Sequence, residues 1–146
     1  MSVNVIFRMA TIDDVEQVKQ IDCSYDYEQY SKEMIRSSIL NDVNILAILD
    51  DVIVGYVSAS IVLDEAELLK IVVAKECRGM GIGKRLIQQL FEVLKVKNVT
   101  TVFLEVRKSN VVAKQMYLQL GFQKIFERKE YYDGDDAEVF KIEFGK

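Results

Sequence analysis

Six residues, Arg78-Gly79-Met80-Gly81-Ile82-Gly83, stand between an apolar stretch of strand character and an amphipathic stretch of helical period. Their placement constrains the fold more than any other feature of the chain. Glycine admits tight turns and lets a ligand approach the backbone with no Cβ in the way. The first N–H groups of a helix have no partner inside it and carry the positive end of the helix dipole. Strand, glycine loop and helix start therefore make an anion site, whose natural occupant is a phosphate or pyrophosphate. A phosphorylated cofactor is expected, and the remaining residues decide which one.

The chain of 146 residues has the length of one domain, spanning 1–146, and is long enough to bury a core. Half of it is apolar and 29% is charged, the balance of a soluble globular protein. No apolar run approaches the roughly 18–20 residues of a membrane span. Met1-Ser2-Val3-Asn4 carries no basic stretch followed by an apolar one, so no signal peptide is expected. Cys23 and Cys77 lie far apart, which argues against disulfides or a zinc site and for a cytoplasmic location. Histidine is absent, so imidazole bases, histidine triads and metal–histidine sites are excluded, and no metal is expected. Proton transfer falls to Glu, Asp, Tyr, Lys, Cys or water. With a net charge of −4 and no basic stripe, neither nucleic acid nor a membrane is an expected partner.

Alternation predicts a strand over 3–9. Thr11 suits the N-cap of a helix over 12–21, with Ile12, Val15, Val18 and Ile21 on one face. Ser31 suits the cap of a second helix through Met34, Ile35 and Leu40. Residues 45–49 and 52–61 read as a hairpin around Asp50-Asp51. Residues 68–74 form a nearly continuous apolar strand of the kind buried on both faces, and Lys70 is its exception. A helix then runs to about Lys97, its buried face marked by Leu86, Ile87, Leu90, Phe91 and Leu94. A strand over 100–106 precedes a helix that starts at Asn110 and stops at Gly121. The last strands are 122–127 and 137–144, joined across Asp133-Gly134-Asp135-Asp136.

Three phosphate ligands compete for the glycine loop. A nucleotide-hydrolysing P-loop needs Ser or Thr after Gly-Lys, but Gly83-Lys84 is followed by Arg85. A dinucleotide site wants its glycines after the first strand at Gly-x-Gly-x-x-Gly spacing, whereas these follow roughly the fourth strand at 79, 81 and 83. Coenzyme A is the third. Residues 78–83 resemble the Gln/Arg-x-x-Gly-x-Gly/Ala signature of the GNAT N-acetyltransferases. Leu104-Glu105-Val106-Arg107, Ser109-Asn110, Tyr117, Leu120-Gly121-Phe122, Tyr131-Tyr132 and Asp133-Gly134-Asp135-Asp136-Ala137 follow in order. The set covers about 68–144 and resembles the RimI-type ribosomal-protein-alanine N-acetyltransferases.

The resemblance implies an α/β (α+β) GNAT fold: a mixed, mostly antiparallel sheet of about seven strands, helices on both faces, and a splay between strands four and five. Acetyl-CoA is the implied cosubstrate, lying in that splay. Backbone groups of Ile71, Val72 and Val73 would pair with its pantetheine arm. Arg78 belongs to the signature, and backbone N–H groups of Gly79, Met80, Gly81, Ile82, Gly83 and Lys84 would hold the pyrophosphate. Asn110 would contact the arm. Tyr131 and Tyr132 would line the substrate groove, and Asp133, Asp135 and Asp136 would attract a basic tail. Two departures fall on Lys75, where the family often has proline, and on Gln29-Tyr30-Ser31, which replaces its Pro-Trp-Ser stretch near the acceptor.

Direct transfer of acetyl to an amine needs the amine neutral. An α-amine has a pKa of ~7.7–8.0 and a lysine side chain ~10.4, so the α-amine asks less of its base. Glu105 is the candidate base, because alternation puts Thr101, Phe103 and Glu105 on one face of their strand, near its end. A surface glutamate or a partner of Arg107 is the plainer reading. Tyr117, twelve residues on, is the candidate acid for the departing thiolate, against the plainer reading of a core tyrosine. Tyr131-Tyr132 as a mere aromatic pair, and the aspartates as a solvated turn, are equally available. Cys77 reads as incidental. The expected acceptor is a protein N-terminus, by resemblance the N-terminal alanine of a small-subunit ribosomal protein, handled by a monomer or weak dimer. A small-molecule amine, or a non-catalytic CoA-binding role, are the alternatives.

Overall fold

The computed structural model describes residues 4–25 and 27–145. One sheet of seven strands runs in the order β1-β2-β3-β4-β5-β7-β6. The strands are β1 (Ile6–Met9), β2 (Val43–Leu49), β3 (Val52–Val62), β4 (Glu65–Val73), β5 (Thr101–Arg107), β6 (Gln123–Tyr132) and β7 (Asp135–Glu143). Neighbours are antiparallel except β4 and β5, which are parallel. The helices are α1 (Val15–Asp22), α2 (Lys32–Asn41), α3 (Ile82–Val96) and α4 (Val111–Gln119). This is the mixed α/β architecture that the sequence predicts.

Two apolar clusters flank the sheet. Leu86, Leu90 and Leu94 of α3 and Tyr117 of α4 belong to the larger one. Val18 of α1 and Ile35 of α2 belong to the other, with Leu46, Tyr56 and Val72 of the sheet. Strands covered on both faces lose polar alternation, which is why β2 and β3 read as apolar runs. A bulge in β4 divides its side chains between the clusters. Ser58 pairs with Lys70 and Ala59 with Leu68, leaving Leu69 unmatched. Ala66 and Leu68 therefore point into the α3 cluster, as do Ile71 and Val73, while Val72 turns to the α1–α2 side. One extra residue reverses the faces of a strand.

Local chemistry sets the element ends. Ser31 Oγ accepts the Met34 N–H at 3.1 Å and caps α2. Asp50 and Asp51, both at positive φ, make the β2–β3 turn. At the end of α4 the Gly121 N–H donates to Leu118 O and the Phe122 N–H to Tyr117 O, with Gly121 at φ +104°. This left-handed cap brings Phe122 back against Tyr117, their ring centroids 5.7 Å apart.

Some expected boundaries shift. The strand from residue 3 begins at Ile6, and Val3 lies outside the described residues. The helix over 12–21 is a 3-10 turn (Ile12–Asp14) followed by α1, so Ile12 stays exposed while Val18 is buried. Phe122 precedes β6 instead of starting it, and β6 and β7 both extend to a tight Asp133-Gly134 turn. Asp135 and Asp136 therefore lie in β7, not in the loop.

Gly55 of β3 tests the packing. A Cβ there would lie 2.9 Å from Val72 O and 3.2 Å from Leu86 Cδ1. Gly55→Ala is expected to destabilise the protein by about 1–3 kcal/mol, read as a lower urea midpoint with an unchanged m-value.

Candidate active site

Parallel pairing of β4 with β5 is confined to Glu65–Thr101, Ala66–Val102 and Glu67–Phe103. Beyond these positions β4 keeps its partner β3, and β5 pairs on its far side with β7 along its whole length. Residues 68–73 thus offer one backbone edge that β5 does not use. Such an edge pairs readily with an extended ligand that carries amides. It includes Ile71, Val72 and Val73.

The other end of the implied ligand site lies past β4. A 3-10 turn, Lys75–Cys77, leads into the glycine loop and then α3. Gly79 and Gly81 have φ of +82° and +78°, and a Cβ on either would meet nothing within 4 Å. The two glycines leave open space in front of the backbone, and Gly81 is the N-cap of α3. Gly83 differs. A Cβ there would make ordinary contact with Met116 Sδ at 3.4 Å and with Ile71 and Val73 at 3.7 Å, so this position faces the packing of α3 on β4 and α4 and not the open loop. The loop, the helix start and the unused β4 edge suit a pyrophosphate joined to an extended amide chain. Arg78 acts here as a strut: its guanidinium donates to Val73 O at 3.1 Å and Ser24 O at 2.8 Å. Cys77 is buried beside the loop, and burial raises its thiol pKa. Among the described residues no group of three or more metal-ligating side chains comes together.

A cleft of about 260 Å³ opens between the splayed strands, lined by Leu68 to Ile71, Glu105, Val106, Arg107, Asn110, Ala113, Tyr117 and Tyr132. Glu105, Asn110, Tyr117 and Tyr132 therefore line one cleft. Val102, Leu104 and Val106 are buried while Glu105 is half-buried at the cleft, which bears out the alternation along β5. The partner of Glu105 is Arg128 of β6, whose Nε lies 3.0 Å from Oε1, and not Arg107. Asn110 Oδ1 accepts the Ala113 N–H at 3.3 Å, so this residue caps α4 while it lines the cleft. Tyr117 lies between the core and the cleft. Its ring packs on Phe122 and Phe140, yet it borders the cleft at only 5% exposure. Burial, with a smaller push from Tyr25, raises its pKa, so the hydroxyl keeps its proton throughout the neutral range.

Tyr131 and Tyr132 separate. Three residues of β6, 129–131, oppose only Asp136 of β7, so the strand bulges there. Tyr132 turns to the cleft, while Tyr131 is 56% exposed and does not line it. Their rings meet edge to face at 5.3 Å. Asp136 accepts the Glu130 N–H at 2.8 Å, and the Ser109 hydroxyl donates to Asp135 at 2.5 Å, so both aspartates have structural partners.

The far wall of the cleft comes from the segment between α1 and α2, with Tyr25, Tyr27, Glu28 and Tyr30. Sequence reasoning placed Tyr30 near the acceptor, within Gln29-Tyr30-Ser31, but did not single out Tyr25, Tyr27 or Glu28, although three tyrosines within six residues are a visible signal. The Arg107 guanidinium lies 4.8 Å from the Tyr27 ring and 4.2 Å from the Tyr132 ring, spanning the cleft mouth. Burial, reinforced by Tyr132, Tyr30 and Tyr27, pushes the Tyr25 pKa up to about 12.

Cleft, glycine loop and parallel splay lie together between β4, β5 and the start of α3. The chain belongs to the acetyltransferase (GNAT) family, whose profile matches residues 12–122. It is an N-acetyltransferase of that type, in a family that uses acetyl-CoA. An uncharacterized N-acetyltransferase of Methanocaldococcus jannaschii, MJ1530, is 31% identical over 91% of this chain and 88% of that protein. A Bacillus subtilis relative, provisionally named a ribosomal protein bS18-alanine N-acetyltransferase, is 30% identical over 97% of both chains. The crystal structure of the ribosomal-protein-S18-alanine N-acetyltransferase of Escherichia coli superposes with a TM-score of 0.91. It covers 98% of this chain and 96% of that one at 24% identity, and so shares the fold.

The glycines should differ in effect. Gly81→Ala places an L-residue at positive φ, a cost of about 1–2 kcal/mol, and projects a methyl into the open loop. Calorimetric titration with acetyl-CoA is expected to show affinity at least tenfold weaker for Gly81→Ala, and within about threefold of wild type for Gly83→Ala, where the backbone is helical and a methyl meets only ordinary contacts.

Proposed function

We propose that this enzyme acetylates the α-amine of a protein N-terminus, with the N-terminal alanine of ribosomal protein bS18 as its acceptor. The observation that carries the proposal is the meeting of Glu105, Asn110 and Tyr117 in one cleft beside the unused edge of β4. The name of the B. subtilis relative, similar along its full length, supports the choice of acceptor.

When bound, acetyl-CoA supplies the thioester carbonyl that the amine attacks. Ile71, Val72 and Val73 hold its arm through their backbone. The N–H groups of Gly79, Met80, Gly81, Ile82, Gly83 and Lys84 hold its pyrophosphate, with Arg78 bracing the loop and Asn110 bordering the arm. Glu105 takes the proton from the incoming amine, directly or through water, its carboxylate oriented by Arg128. The Tyr117 hydroxyl, kept protonated by burial, donates to the departing sulfur. Tyr132 lines the acceptor side of the cleft, with the Tyr131 ring edge to face against it from outside. An α-amine with a pKa of ~7.7–8.0 is about one-tenth neutral at pH 7, so a single carboxylate suffices where histidine is absent.

The direct test is acetylation of one peptide that carries an N-terminal alanine, basic following residues and one internal lysine, read by mass spectrometry. Acetyl on the α-amine alone is expected. Acetyl on the lysine, or on neither, contradicts the proposal.

Two variants test the residue roles. Without its base, Glu105→Gln relies on amines already neutral, so the pH at half-maximal kcat/KM should rise toward the amine pKa of ~8. An unchanged pH–rate profile removes Glu105 from the chemistry. Tyr117→Phe should lower kcat by roughly 10²-fold with acetyl-CoA affinity little changed. Loss of cofactor binding instead would make Tyr117 structural.

A further inference from the structure

Lys70 is the one charged side chain in the apolar run 68–74, and no step above uses it. It is 3% exposed, and Asp22, at the end of α1, is fully buried. The Lys70 Nζ lies 2.6 Å from Asp22 Oδ1 and donates to Glu28 O at 2.7 Å. It also sits over the rings of Tyr30, at 3.7 Å, and Tyr25, at 4.5 Å. Asp22 in turn accepts from the Tyr56 hydroxyl and, at 2.5 Å, from the Tyr30 N–H. Every contact except the one to Tyr56 runs to the segment that walls the cleft, or to the helix that leads into it.

Taking a charge out of water is costly unless paired, and an apolar residue would fill this strand position without that cost. The pair recovers the cost through contacts that hold the segment down. The β4 bulge makes this possible, because it turns Lys70 away from the α3 cluster and toward α1. The same segment carries Tyr27, on which Arg107 stacks across the cleft mouth.

Resting on the α-amine reading above, we infer that Lys70 and Asp22 form a buried clasp that fixes Tyr25, Tyr27, Glu28 and Tyr30 as the acceptor wall. Lys70 is then a positioning residue for the acceptor, with no direct part in holding the cofactor. The clasp serves peptide recognition: it keeps Tyr25, Tyr27 and Tyr30 in place against the incoming N-terminus.

The test compares wild type with Lys70→Met, with Lys70→Met/Asp22→Asn, which leaves no buried charge unpaired, and with the milder Tyr56→Phe. Hydrogen exchange read by mass spectrometry reports on the segment without any acceptor. Amides of 23–31 are expected to exchange at least tenfold faster in the two Lys70 variants, with β5 and α3 unchanged, and less so in Tyr56→Phe. The acceptor-peptide KM should rise about tenfold while the acetyl-CoA Kd stays within twofold. Unchanged exchange of 23–31 in a folded variant overturns the clasp. A parallel rise in acceptor KM and acetyl-CoA Kd, or faster exchange along the whole chain in all three variants, overturns the positioning role. If wild type acetylates no α-amine, the functional reading fails separately, and exchange still decides the clasp.

Discussion

The parting of two parallel strands organises this molecule. β4 and β5 pair at three positions and then separate, each held by its other neighbour. A sheet that stops pairing in its middle exposes backbone groups that need partners. Here the gap is bordered by polar side chains from β5 and α4, and its β4 edge presents amides in an extended conformation. The bulge at Leu69 belongs to the same design, since it turns Ile71 and Val73 onto the α3 cluster and Lys70 onto α1. The glycine loop follows β4 after a single 3-10 turn, Lys75–Cys77, so the loop and the strand edge lie along one stretch of chain.

On the function proposed above, the cofactor side and the acceptor side are built by different means. The cofactor side is backbone: a strand edge, two positive-φ glycines and a helix start. Such a site makes few demands on the identity of side chains. The acceptor side is made of side chains. Tyrosines from the α1–α2 segment, the stacked Arg107, the Glu105–Arg128 pair and Tyr132 at the β6 bulge give it shape and charge. Acceptor choice therefore depends on residues whose positions are set by long-range contacts, Lys70 to Asp22 among them.

That division also explains what the sequence could tell. Glycines 79 and 81, the caps at Ser31 and Gly121, and the alternation of 101–106 have local causes, and each appears in the structure where the residues predict it. Tyr117 was legible only as a choice between core and chemistry, and the structure gives it both surroundings. The partner of Glu105 was not legible, because Arg128 comes from a strand two places across the sheet, brought near by β7. Neither was the separation of Tyr131 from Tyr132, which follows from a bulge set by Asp136 on the opposite strand. The role of Lys70 was hidden for the same reason: its face depends on a register shift that no single-strand pattern shows.

The central claim is that one cleft brings a CoA thioester and a protein N-terminus together. A conjugate of CoA tethered through an acetyl linker to the α-nitrogen of an Ala-peptide measures this directly, titrated beside CoA and the free peptide. If both ends occupy the cleft at once, tethering makes the second contact intramolecular, and the conjugate should bind at least about a hundredfold tighter than CoA. A conjugate that binds no tighter than CoA alone would contradict the account, because the peptide would then have no place beside the cofactor.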